Sequence, residues 1–334
     1  MLLIWLNLKI TPCTSDSCTT SKYCEIPQSY SSYSSPNPYE SITTTHRNCF
    51  TCDPNAYPVT HLTDLNNPGN TTCWLSKHVI ENNRINNVTI HIPLSKSYHI
   101  HYISLQFCTS RPKNMVILKS QDHGRTYQPY QYYSDACRST FGVKPTHFVD
   151  SGFEKQVLCS EAYSSLYPTS GTRIAFSTIE GRPSSHNLKS SKTLQDWISA
   201  TDIKIVFLEP NVHPEDRALF NLLTSDFLGE ISRNKNLRSI TNRQIEINRQ
   251  EYEHQDFFEN LVKGSYYYGV SDLSIGGRCN CNGHASKCLI ENGTPVCSCR
   301  HNTAGPDCGQ CSKFHHDRPW APASDVDANE CQRK

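Results

Sequence analysis

The chain lacks any long apolar run: nothing in its 334 residues approaches the ~18 consecutive apolar positions of a membrane-spanning helix, which excludes an integral membrane protein built on such helices. It also lacks charge of one sign. Lys and Arg number 32 against 31 Asp and Glu, a formal net charge of +1, so the basic surplus that displaces counterions from nucleic acid is missing. Methionine is scarce, with 2 residues against 17 tyrosines, a balance that suits half-buried strands better than helical bundles. Catalytic signatures are missing as well. The sequence contains no H-E-x-x-H, G-x-S-x-G, G-x-G-x-x-G or P-loop.

What the chain has in abundance is cysteine, 17 in all, and unevenly placed. Eight of them fall within the 53 residues from Cys279 to Cys331, above the ~8–10% that marks a disulfide scaffold. Thiols stay reduced in the cytosol, so such a load points to an oxidising compartment and a secreted protein. Three N-x-[ST] sequons, at Asn70, Asn87 and Asn292, point the same way. A signal peptide is poorly formed: MLLIWLNLKI has no basic start and no clear small-residue cleavage site. Residues 1–13 are therefore expected to be a residual N-terminus, either a degenerate signal or a truncated start.

Residues 28–46 are rich in Ser, Thr and Pro and read as a loop between cysteine groups. From residue 85 strands dominate. Val88, Ile90, Ile92 and Leu94 alternate with Thr89, His91 and Pro93, and further strands are predicted over 98–107, 115–119, 127–133, 173–179, 202–208 and 266–275. No regular helix alternation separates them, so the expected class is all-β, an antiparallel sandwich of jelly-roll type over residues 14–278. Residues 211–263 stand apart as an insertion. Ala218, Leu219, Leu222 and Leu223 have helical spacing, while the rest mixes charges and reads as a solvated loop. Gly276, Gly277, Arg278 and Cys279 then hand the chain to a small module over 279–331.

In that module the spacing is Cys279-x-Cys281, Cys288, Cys297-x-Cys299, Cys308-x2-Cys311 and Cys331. Zinc competes only at the C-x2-C pair, since the C-x-C pairs are tighter than structural zinc sites use. Disulfides are favoured, because 53 residues with so little apolar material need staples to hold a fold. Elsewhere, His99 and His101 share one strand face and form a minor metal candidate. Carboxylate pairs for glycoside hydrolysis meet only in the fold, which keeps a carbohydrate-active enzyme on a β-sandwich as an alternative.

RCNCNGHASKC (278–288), CSCRHNTAGPDCGQC (297–311) and FHHDRPWAPASDVDANEC (314–331) resemble the first laminin-type EGF-like module of netrins. HLTDLNNPGNTTCW (61–74), YISLQFCTSRPKNM (102–115), SQDHGRTYQPYQYYSDAC (120–137), RIAFSTIEGRPSSH (173–186), LQDWISATDIKI (194–205) and YYYGVSDLSIGGRC (266–279) resemble the laminin N-terminal domain of the same proteins. GRPSSH and HHDRPW carry the netrin character within that resemblance. It implies a secreted axon and cell guidance cue in the extracellular matrix, acting on DCC/neogenin-type receptors, with heparan sulfate and matrix glycoproteins as further partners. A structural short-arm module that polymerises in basement membrane is the alternative from the same family. The resemblance also implies a segment ahead of Cys13 and further EGF-like modules after Cys331, so the chain is expected to be a fragment or an incomplete gene model.

For the cysteines the resemblance implies Cys279–Cys288, Cys281–Cys297, Cys299–Cys308 and Cys311–Cys331 in the module. In the large domain it leads us to expect Cys73–Cys108, Cys137–Cys159, Cys18–Cys52 and Cys24–Cys49. Cys13 is then left over, free or intermolecular. Glycosylation is expected at Asn70, Asn87 and Asn292. Finally, the resemblance implies a structural calcium ion held by Leu62, Asp64, Thr72 and Ser271; residue chemistry alone supplies one carboxylate and one hydroxyl, with backbone carbonyls to complete the shell.

Overall fold

The computed structural model describes residues 2–3, 22–25, 49–51, 55–64, 71–81, 84–150, 152–163, 173–188, 190–224, 260, 262–324 and 326–333. The early strands are short: β1 (Leu2–Leu3), β2 (Lys22–Cys24), β3 (Cys49–Thr51), β4 (Trp74–Leu75), β5 (Ile80–Glu81) and β6 (Arg84–Ile85). The sheet proper follows as β7 (Val88–Phe107), β8 (Pro112–Ser120), β9 (Gln128–Tyr133), β10 (Leu158–Ser160), β11 (Arg173–Ser177), β12 (Ser199–Pro210) and β13 (Gly269–Cys279). Helices are brief: α1 (Cys137–Phe141), α2 (Lys192–Ile198) and α3 (Arg217–Thr224). None of the described helices is long and apolar enough to cross a membrane.

Nine strands join in the order β1-β13-β7-β12-β8-β9-β10, with β11 paired to β7 and β4 to β13, and fold into sandwich-like layers. β7 organises them. The sequence pattern predicts two strands there, 88–94 and 98–107; the structure has one, because its two halves take different partners. The first half pairs with β12, and the second is shared by β13 and β11. Asp202 faces Pro93 and Ala200 faces Tyr98, so residues 94–97 bulge out opposite Thr201. Ser95 makes the turn with φ of 67°.

The core follows from the alternation. Ile90, Ile92, Ile100, Ile103, Leu105 and Phe107 of β7 are fully buried against Ile203, Ile205 and Phe207 of β12 and Met115 and Ile117 of β8. Each such side chain contributes about 1.5–3 kcal/mol on burial. Phe107 and Phe207 meet with ring centroids 5.7 Å apart, and Tyr268 closes on Phe207 at 4.8 Å. Helix α2 begins where the Ser191 hydroxyl accepts from the Leu194 N–H. Its last carbonyls, of Asp196 and Trp197, and that of the C-cap Ser199 take the buried Lys119 ammonium. A cation at a helix C-terminus is favourable on electrostatic grounds.

The 211–263 stretch departs from the solvated loop expected of it. Its first residues pack on the core: Phe220 and Leu223 of α3 are buried, and Tyr266, just beyond the stretch, donates to the Asp216 carboxylate at 2.7 Å. Two apolar anchors one helical turn apart suffice to dock so short a helix. Residues 225–259 lie outside the described ones.

β13 continues without a linker into the small module, where β14 (Cys288–Glu291) and β15 (Thr294–Cys297) form a hairpin and β16 (Thr303–Ala304) pairs with β17 (Gln310–Cys311). Cys281, Cys297 and Cys308 are the buried centre of this module, where disulfide sulfur stands in for an apolar core.

Candidate functional site

A short 3₁₀ turn over Val59–Leu62 follows Pro58, whose extended backbone sets its start. Leu62 is fully buried and anchors the turn. Asp64 then accepts a hydrogen bond from the Thr72 hydroxyl on Oδ2, at 2.7 Å, while its Oδ1 is buried with no hydrogen-bond partner. Ser271 of β13 is also fully buried, its hydroxyl donating to the Gln106 carbonyl at 3.2 Å. Its neighbour Asp272, which the sequence did not single out, has a raised pKa: burial is the main cause, and the Asp64 charge adds to it against Arg173, 3.1 Å away. Among the described residues no three His, Cys, Asp or Glu cluster as a metal site. A cation here would therefore rest on a single orphaned carboxylate oxygen plus hydroxyl and main-chain oxygens, a donor set that fits hard, oxygen-loving calcium.

His99 and His101 do share a face of β7, but Arg278 of β13 lies opposite His99. Burial first, and then the Arg278 charge, push His99 down to about 4 and also lower His101. A guanidinium beside both rings opposes a metal cation at this pair.

Seven bridges are present among the described cysteines: Cys24–Cys49, Cys73–Cys108, Cys137–Cys159, and in the module Cys279–Cys288, Cys281–Cys297, Cys299–Cys308 and Cys311–Cys331. Cys13, Cys18 and Cys52 lie outside the described residues, as does Asn70. Asn87 is exposed just ahead of β7. Asn292 is exposed at the tip of the β14–β15 hairpin, where Asn292 (φ 52°) and Gly293 (φ 76°) both take the left-handed conformation of a two-residue turn.

The joint between the two modules is built on the β7 bulge. It throws Lys96, fully buried, out of the large domain and into the small one. The ammonium meets the Asp307 carboxylate at 2.6 Å and lies 3.0 Å from the Cys297 sulfur, with the Pro306 carbonyl at 3.3 Å. The Ser97 N–H donates to the other Asp307 oxygen, and the Asn280 N–H donates to the Ser97 carbonyl. A lysine between two predicted strands carried no signal for this role in the sequence.

In the two segments on which the netrin resemblance rests, the arginines serve the fold. Arg182 of GRPSSH is buried, donates from Nε to the Thr178 carbonyl at 2.9 Å, and stacks 3.9 Å over the Trp197 ring. Arg182 also donates to the Glu154 and Gln156 carbonyls, pinning a loop that holds Phe148 and Phe153 out in solvent, 76% and 64% exposed. In HHDRPW, Arg318 donates to Asp327 and Asn329, and the Trp320 N–H donates to the Cys308 carbonyl.

Comparison with known proteins places this geometry. The laminin N-terminal (domain VI) family matches residues 6–277, and the laminin EGF domain matches residues 279–331. The chain is 35% identical over 297 residues to laminin subunit gamma-1 of Danio rerio, which covers 87% of this chain and 16% of the relative. Laminin subunit gamma-1 of Homo sapiens is 35% identical over 299 residues with the same coverage. Laminin subunit gamma-3 of Mus musculus is 36% identical over 287 residues, covering 85% and 16%. The chain thus spans about a sixth of the length of these relatives.

Proposed function

Since the chain belongs to the laminin N-terminal domain family, with a laminin EGF domain directly behind it, we propose that it is a secreted, non-enzymatic ligand of the extracellular matrix that works by presenting a rigid surface to protein partners. The observation that carries this is the joint. A β13 without a linker and a buried Lys96–Asp307 pair fix the EGF-like module against the large domain, as a binding head on a rod requires. Two exposed phenylalanines on a pinned loop add the kind of apolar surface that partners cover.

In finer detail, we read it as a netrin-like guidance cue for DCC/neogenin-type receptors, with heparan sulfate as a further partner. Because Arg182 and Arg318 work within the fold, GRPSSH and HHDRPW support this through the resemblance alone. The laminin gamma relatives favour a second reading, a basement-membrane module that self-associates. Sedimentation of the chain with and without calcium, beside a receptor-ectodomain pull-down, separates them. Calcium-dependent self-association without receptor capture overturns the cue.

A structural calcium ion belongs to either reading. Leu62, Asp64, Thr72 and Ser271 would hold it, supported by the orphaned Asp64 Oδ1 beside Asp272. When bound, calcium supplies positive charge where two carboxylates crowd; the residues themselves tie the 3₁₀ turn to β13. The wild type should melt higher in calcium than in EGTA, and Asp64→Ala should abolish the difference. Identical melting of the wild type in both refutes the site.

A further inference from the structure

At the module junction, β7 and β13 present His99, His101 and Arg278 together. The register sets Arg278 opposite His99 and Gly277 opposite Ile100, then slips so that Gly276 faces Tyr102. His101 is left without a partner residue on β13, beside two glycines that bring no side chain, while on its other side Thr178 bonds its main-chain carbonyl. Its Nε2 is buried with no hydrogen-bond partner. Arg278 is exposed, and no salt bridge among the described residues engages it.

Among the described residues no carboxylate acts on either ring. The charges felt by His99 are Arg278 and His101, and the charge felt by His101 is Arg278. β12 brings Ser199 opposite His99, β11 brings Ser177 opposite Tyr102, and β1 reaches Gly276 and Gly277 through its main chain. Asp272, further along β13, is taken by Arg173. The cluster is therefore one fixed cation and two imidazoles with hydrogen-bonding capacity unspent.

We propose that His99, His101 and Arg278 form a binding site for a sulfate-type oxyanion. Arg278 supplies the permanent charge and a planar fork suited to such oxygens; the two imidazole N–H groups complete the contact. This rests on heparan sulfate as a partner and locates a contact for one of its sulfate groups. Burial and Arg278 disfavour the protonated form of both rings in the free protein, whereas a bound anion favours it. Binding therefore takes up protons and tightens as pH falls.

The test is NMR of the histidine rings in the full chain, titrated with sodium sulfate and separately with a heparin hexasaccharide, at pH 7.5 and 5.5. Shifts at His99 and His101 with both probes, tighter at pH 5.5 and weakened about tenfold or more in Arg278→Gln, support the site. Arg278→Lys should retain part of the affinity, and because residue 278 is exposed both variants should fold. Shifts with sulfate alone keep the oxyanion site but assign it to a free anion and refute the glycan partner. Hexasaccharide binding that leaves both rings unmoved and survives Arg278→Gln overturns the site while the glycan reading stands. Binding of neither probe overturns both.

Discussion

Replacing Lys96 with methionine tests whether the two modules behave as one body. Methionine keeps the length and apolar volume of the lysine stem but removes the ammonium that meets Asp307 at 2.6 Å. Removing one partner of a buried ion pair costs about 3–5 kcal/mol, because the other charge is left uncompensated. Asp307 retains 20% side-chain exposure and the Ser97 N–H, so the lower end applies, about 3 kcal/mol. Four disulfides hold the small module by itself, so the loss should fall on the joint. Calorimetry of the wild type is expected to show one cooperative transition. Lys96→Met should split it or lower it by roughly 5–10 °C, and small-angle scattering should report a broader shape distribution. Adding Asp307→Asn should recover most of the loss, since removing both charges spares the stranded carboxylate. If Lys96→Met melts within about 0.5 kcal/mol of the wild type in a single transition, the joint does not depend on this pair.

Acid should weaken the fold through His99. Its folded pKa of about 4 lies below the unfolded value of 6.5, so the unfolded chain binds more protons between those limits. Stability from this group is complete above pH 6.5 and is lost as pH falls toward 4. A His99→Gln variant should show a shallower decline in chemical denaturation between pH 6.5 and 4, by up to about 3 kcal/mol; an unchanged slope counts against the assignment. Gly276→Ala should destabilise by several kcal/mol, since its Cβ would lie 2.0 Å from the Tyr102 ring; a soluble variant with wild-type melting would show that the ring moves aside freely. Intact-mass analysis of secreted protein before and after glycosidase should show glycans at the exposed Asn87 and Asn292, and occupancy at Asn292 should disappear in Thr294→Ala.

Much of the fold was legible because strands have period two. Val88, Ile90, Ile92 and Leu94 announced which face of β7 is buried, and the segments 115–119, 127–133 and 202–208 fall within β8, within or one residue ahead of β9, and within β12. Short strands such as β4 and β10, with two and three residues, are too brief to carry a pattern. The helical spacing of Ala218, Leu219, Leu222 and Leu223 falls on α3, but that Phe220 and Leu223 dock is not legible until the core they meet exists.

Cysteine density was a property of the linear sequence, and so was the resemblance that implied the cysteines' partners. So was the all-β class, which follows from alternation and the scarcity of helix-forming runs. The sequence by itself could not place Lys96, because the bulge that ejects residues 94–97 exists only where β7 changes partners. Nor could it show that Arg182 stacks on Trp197 rather than facing a receptor, or that Arg278 stands beside His99. Those roles are contacts between residues 15 to 211 positions apart, and only the tertiary register of β7, β12 and β13 brings them within reach.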